Sequence, residues 1–173
     1  MNWRHALATA VLVAAGSSDG RATFAQATAT NMLAASAGAD IVQRSTERPG
    51  QSAANLLDDQ GAATSWASAE AIFPQTIMFR LAKNQPFNQV VINPAGDPDP
   101  RNWLKTLVIS TADPFPHMGG WTMVTEMELA PIARSQVFAF EEVRGRYLRL
   151  EIRSAQSDDA TWVSIGSVEL FQR

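Results

Sequence analysis

From residue 39 onward, apolar and polar positions alternate in short runs rather than recurring every three or four residues. Thr76-Ile-Met-Phe-Arg-Leu81 sets Ile77, Phe79 and Leu81 on one face. Arg146-Tyr-Leu-Arg-Leu-Glu-Ile-Arg153 sets Leu148, Leu150 and Ile152 inward and its charges outward. A period of two puts successive side chains on opposite faces of an extended strand, one toward a core and one toward water. Further strands are predicted over 87–93, 103–111, 121–128, 136–141 and 163–171. Turn residues separate them: Pro94-Ala-Gly-Asp-Pro-Asp-Pro100, Asp113-Pro-Phe-Pro-His-Met-Gly-Gly120 and Ala130-Pro131. The one helical hint is a single turn around Ser52–Leu57. Short strands at this spacing predict an antiparallel, all-β sandwich or barrel.

Connectivity adds a constraint. If every strand crosses the sandwich, successive loops fall at alternating ends. Loops 67–73, 94–102, 129–135 and 154–162 then share one end, and loops 82–86, 112–120 and 142–145 share the other. Only groups at one end can converge on one ligand.

The N-terminus reads differently. Arg4 precedes an apolar run, Ala6–Ala15, and Ala25-Gln-Ala27 offers the small-x-small pattern of a signal-peptidase cut. A run of this length falls short of the ~20 residues that cross a bilayer, so residues 1–27 are expected to be a cleaved secretory signal. Residues 28–38, rich in Ala, Thr, Ser and Gly, are expected to be a flexible lead-in. Residues 39–173 then form one domain, secreted or periplasmic, and no later segment is long and apolar enough for a membrane helix.

Charge and composition remove several function classes. The chain of 173 residues carries a formal charge of −3, and removing residues 1–27 leaves 12 basic and 16 acidic residues, or −4. No Lys/Arg run is present to neutralise phosphates, which argues against nucleic acid. There is no cysteine, hence no disulfide frame, thiolate metal site or cysteine nucleophile. Of two histidines, His5 lies in the signal and His117 stands alone in a Pro/Gly loop, so no Ser-His-Asp base is on offer. The paired acids Asp97/Asp99 and Asp158/Asp159 fall at one end and could face each other as glycosidase carboxylates do, but the solvated-loop reading is favoured. No enzymatic function is expected.

Asn55-Leu-Leu-Asp58-Asp59-Gln-Gly-Ala-Ala-Thr64-Ser-Trp66 is the most informative segment. Asp58, Asp59 and Thr64 suit an oxygen-seeking cation such as calcium; the alternative is an Asx-type turn in which the carboxylates cap backbone amides.

Three segments together resemble one family. Asn55-Leu-Leu-Asp-Asp with Thr64-Ser-Trp66, the strand Arg146–Ile152 and the closing Trp162-Val-Ser-Ile-Gly-Ser-Val-Glu-Leu-Phe171 are similar, in order, to the opening, "A-R-Y-V-R-L" and final strands of discoidin domains. These are the coagulation factor five/eight C-terminal (type C) domains, which overlap the family-32 carbohydrate-binding modules. The resemblance runs from about Ala39 to Phe171 and implies an eight-stranded antiparallel jelly-roll β-sandwich of the galactose-binding-domain-like type. It also implies a non-catalytic module that binds sugars, phospholipid head groups or proteins through loops at one end. A structural calcium is common in the family, but Ser167 stands here where the closing strand usually carries an acid, and Gln60-Gly61 where a second acid is usual.

The resemblance maps sugar-binding loops onto Asp97–Trp103 and Ser154–Trp162, two of the loops that connectivity places together. A sugar offers hydroxyls and an apolar C–H face, so its site needs forked donors, carboxylate acceptors and an aromatic plate. Arg101 supplies the fork, Asp97 and Asp99 accept, Asn102 does both, and Trp103 or Trp162 is the plate. Local alternatives exist: Arg101 can pair with Asp97 or Asp99, and Trp66 and Trp162 can pack as core or rim. The expected function is glycan binding; the alternative is a protein-interaction or assembly module of the cell envelope. Membrane binding comes third, through Phe115 and Met118, with His117 the one partial charge beside them.

Overall fold

The computed structural model describes residues 29–58, 63–115 and 120–173. The expected signal (1–27), Asp59, His117 and Met118 lie outside the described residues. Eight strands are present among those described: β1 (Asp40–Arg44), β2 (Trp66–Ala67), β3 (Gln75–Asn93), β4 (Leu104–Ala112), β5 (Thr122–Glu128), β6 (Gln136–Ala155), β7 (Ser164–Ile165) and β8 (Ser167–Phe171). The hinted turn at Ser52–Leu57 is a 3₁₀ turn, Ala53–Leu57, capped by the Ser52 hydroxyl, which accepts from the Ala54 N–H.

β3 and β6, of 19 and 20 residues, each fuse two predicted strands. They pair antiparallel along nearly their whole length, from Gln75↔Ile152 to Ile92↔Gln136. The polar stretches near 82–86 and 142–145 were expected as loops. Instead parts of both stay in the ladder (Gln85↔Gly145, Pro86↔Arg144, Phe87↔Val143), with the register shifting between Arg80 and Gln85. Each long strand therefore contributes to two layers. Its first layer adds β1, β4 and β5; its second adds β8. β2 and β7 form a separate short pair.

The core follows the alternation. Ile77, Phe79, Leu81, Leu107, Ile109, Leu148, Leu150 and Ile152 point inward from one layer, and Phe87, Val90, Ile92, Val168 and Leu170 from the other, all in one buried cluster. A second register shift falls between Phe87 and Gln89, and Phe87 and Val90 on either side of it both face the core despite their odd spacing.

The alternating-end deduction holds. Ala71 N–H donates to the Thr161 carbonyl, Ser157 N–H to that of Arg101, and the Gln156 amide to that of Leu129, so loops 67–73, 94–102, 129–135 and 154–162 meet at one end. At the other, the Asn84 amide donates to Asp113, and Phe115 packs edge-on against Tyr147 at 5.1 Å.

The segment before β1 differs from the loose lead-in expected of it. The Asn31 side-chain oxygen accepts from Leu33 N–H and Leu170 N–H, and Met32 N–H donates to the Leu170 carbonyl. Leu33, a large apolar residue in an Ala-rich run, is fully buried. Gly38 then turns the chain into β1 with φ of 85°, a conformation that costs glycine least. Burying one leucine stabilises by about 1.5–3 kcal/mol, which offsets the ordering of a short segment. Leu33→Ala should destabilise the protein by about 2–5 kcal/mol in urea titrations; a loss below ~0.5 kcal/mol would show the segment to be dispensable.

Candidate functional site

The loop between β3 and β4 is built from successive Asx turns. Asn93 accepts from Ala95 N–H, Asp97 from Asp99 N–H and Asp99 from Arg101 N–H, each at 2.9–3.0 Å. These short side chains bond their own backbone two residues on, which is why Asn and Asp favour such turns. Asp99 also caps the 3₁₀ turn Pro100–Asn102. Gly96 lies against the β7 backbone: a Cβ there would sit 2.7 Å from the Ile165 carbonyl carbon. Only glycine lets the loop lie this close.

Asp97 ties this loop to the one before β7. One carboxylate oxygen accepts from Asp99 N–H (2.9 Å) and the Asn102 amide (3.3 Å); the other accepts from the Trp162 indole N–H at 3.0 Å. Its backbone carbonyl accepts from the Trp103 indole N–H at 2.6 Å. Asp97 is thus an organiser of the loop end.

Two further expected ligand residues turn inward. Asn102 is 4% exposed; its amide oxygen accepts from Thr161 N–H, and its backbone carbonyl accepts from the Ser164 hydroxyl. Trp103 is 8% exposed, too covered to serve as a stacking plate. A buried amide and indole must find partners inside the protein, and both do. Trp66 is wholly buried core, its indole N–H donating to the Thr46 carbonyl.

Asp99, Arg101 and Trp162 remain at the surface. Arg101 is the most open, with its side chain 64% exposed; it holds Asp99 through Nε–Oδ2 at 2.9 Å and Nη2–Oδ2 at 2.6 Å. The local pairing read as an alternative in the sequence is therefore present, on an open side chain. That guanidinium holds the Asp99 carboxyl below the usual carboxylate range. A general acid needs the opposite shift, so Asp99 is poorly suited to glycosidic protonation. Asp99 in turn raises the Arg101 pKa, and Asp159 adds to the effect from the neighbouring loop.

Arg48 is a candidate site residue that sequence reasoning missed. Its guanidinium lies 3.5 Å from the centre of the Trp162 ring. No carboxylate pairs with it among the described residues. Its loop is fixed from both sides: Arg48 N–H donates to the Ala67 carbonyl, and Glu47 accepts from Arg44, Ala53 N–H and Ser52. The Arg44 hydrogen bond, then the Ala53 N–H, hold the Glu47 carboxyl below its ordinary range. Nothing in the local pattern around Arg48-Pro49-Gly50 links it to Trp162.

The opening turn was a candidate for calcium. The Thr64 hydroxyl donates to Asp58, while Asp59 lies outside the described residues. Calcium takes about six to eight oxygen ligands. Among the described residues no three His, Cys, Asp or Glu gather as a metal group, and Ser167 brings no charge. The described donors do not complete a calcium cage.

Because Asp97 satisfies donors from three residues, Asp97→Ala should cost about 1–3 kcal/mol in urea titrations at unchanged m-value. Asp97→Asn, which keeps an acceptor, should lose less. Equal losses in both, or none in either, would refute the organising role.

No curated protein matches the chain. Among solved structures, the family 32 module of Clostridium perfringens NanJ, in complex with galactose, superposes with a TM-score of 0.67 at 14% identity, covering 84% of this chain and 100% of that one. CBM32-3 from a family 31 glycoside hydrolase of the same organism gives 0.70 at 18%, covering 84% and 95%. Chitosan-binding module 1 of a chitosanase/glucanase from Paenibacillus sp. IK-5 gives 0.65 at 21%, covering 82% and 98%. These likenesses establish the jelly-roll fold. Residues 40–168, from the first strand into the last, match the F5/8 type C domain, and the chain belongs to that family.

Proposed function

We propose that this chain is a non-catalytic carbohydrate-binding module, secreted or periplasmic, that takes a sugar at the loop end formed around Trp162. The observation that carries this reading is the convergence there of a partly exposed indole, a guanidinium (Arg48) stacked on it that no carboxylate pairs with among the described residues, and the open Arg101–Asp99 pair. The indole suits the C–H face of a sugar; the guanidinium forks and the carboxylate suit its hydroxyls. Asp97, Asn102 and Trp103 act behind this surface by holding it in shape. Support also comes from the similar structures, which include modules solved with galactose and with GalNAc-β-1,3-galactose.

Charge narrows the sugar class. Glu47, Glu70, Asp97, Asp99, Asp158 and Asp159 lie on the four loops around the site, against Arg48 and Arg101. This acidic balance favours neutral or amine-bearing sugars over uronic acids. A shallow site with few contacts should bind with Kd on the order of millimolar to tens of micromolar, roughly −4 to −6 kcal/mol.

Calorimetric titration with galactose, GalNAc-β-1,3-galactose, chitosan oligomers and a mannuronate oligomer tests the reading. A neutral or amine-bearing sugar should bind. Trp162→Ala and Arg48→Ala should each weaken it at least about tenfold, and Arg101→Ala severalfold. Absence of binding to every sugar, with capture of an envelope protein, would favour the assembly role.

The Asp58–Thr64 turn is proposed to be self-held rather than metal-held, because Thr64 already bonds Asp58 and Ser167 is neutral. Adding calcium to chelator-treated protein should move Tm by less than about one degree; a rise of several degrees would assign the turn a metal.

A further inference from the structure

A cavity of about 370 Å³ opens on the outer sheet face just below the loop end, lined by Phe73, Pro74, Glu151 and Arg153. Phe73 precedes β3, and Glu151 and Arg153 lie near the end of β6, where Thr76 and Glu151 are partners across the strands. One wall is thus an aromatic ring with a proline ring, the other a guanidinium with a carboxylate. Arg153 Nε bonds Glu151 at 2.9 Å, and its Nη1 reaches Glu126 at 3.2 Å. Its side chain is 45% exposed, whereas Glu151 is 20% exposed and also faces Arg149 Nη2 at 3.5 Å. The open Arg153–Glu126 pair is only weakly held in water, so a hydroxyl can draw on the Arg153 donors at little cost.

The cavity lies close to the loop end. Ala71 N–H donates to the Thr161 carbonyl at 3.0 Å, and Thr161 adjoins Trp162. Phe73 follows two residues later, a chain reach of at most about 7 Å. A short oligosaccharide can span the interval.

We propose that the Phe73–Pro74/Glu151–Arg153 cavity is a second sugar subsite, so that the protein binds an oligosaccharide running from Trp162 down the outer sheet face. This rests on the loop-end reading and extends it. A sugar ring in the cavity lays its C–H face on Phe73 or Pro74 and shares its hydroxyls between Glu151 and Arg153.

The test is calorimetric titration of the full protein with chito-oligosaccharides and β-1,4-galacto-oligosaccharides of one to six residues. In the wild type, affinity for one of the two series should rise about tenfold or more between the monosaccharide and the longer members. Arg153→Ala and Glu151→Gln should remove most of that gain, leave monosaccharide affinity within about twofold, and leave Tm little changed. Phe73→Ala should do likewise; because Phe73 also packs on the core, the two polar variants decide if it fails to fold. Affinity independent of length, or an equal loss for monosaccharide and oligosaccharide in the polar variants, would overturn the second subsite alone. Failure of every member of both series to bind would overturn the loop-end reading together with it.

Discussion

The antiparallel pairing of β3 with β6 is the constraint on which the rest depends. Both strands run on past the corner near 82–86 and 142–145, so one ladder serves both layers of the sandwich. It fixes which side chains reach the core and carries the chain back and forth between two ends. Polar segments from four different regions of the sequence meet at one of these ends for that reason. The site is a consequence of topology before it is a consequence of chemistry.

At that end the division of labour is between residues that hold and residues that face solvent. Asp97 accepts hydrogen bonds from two loops, Asn102 and Trp103 are buried behind it, and Gly96 presses the backbone against β7. Loops are ordinarily the mobile parts of a fold; here they are cross-braced by side chains drawn from one another. Preorganisation of this kind lowers the ordering cost of binding a weakly held ligand.

Much of the architecture was legible in the sequence. Alternation in 76–81 and 146–153 marked the core faces, and counting crossings placed 94–102 beside 154–162. Other features depended on partners that no local pattern reveals. Asn102 and Trp103 look like exposed loop residues because the groups that bury them, Thr161 N–H and the Asp97 carbonyl, are supplied by the folded loops. Lys83-Asn-Gln-Pro86 reads as a turn, yet its last two residues pair with β6 at the corner. Asn31 and Leu33 sit in an Ala-rich stretch that composition alone marks as loose; the first finds its partner on β8 and the second in the core. Arg48 was invisible for the same reason: its partner lies in a loop far along the chain.

The stack of Arg48 on Trp162 has a consequence for the unliganded state. One face of the indole is already covered by a flat cation, so that face need not meet bulk water while the site waits. On the proposed reading a sugar would meet the other face of the indole and the rim of the guanidinium. The cation then stays in place as part of the platform, and a ring already backed on one side offers an incoming guest a single, fixed face.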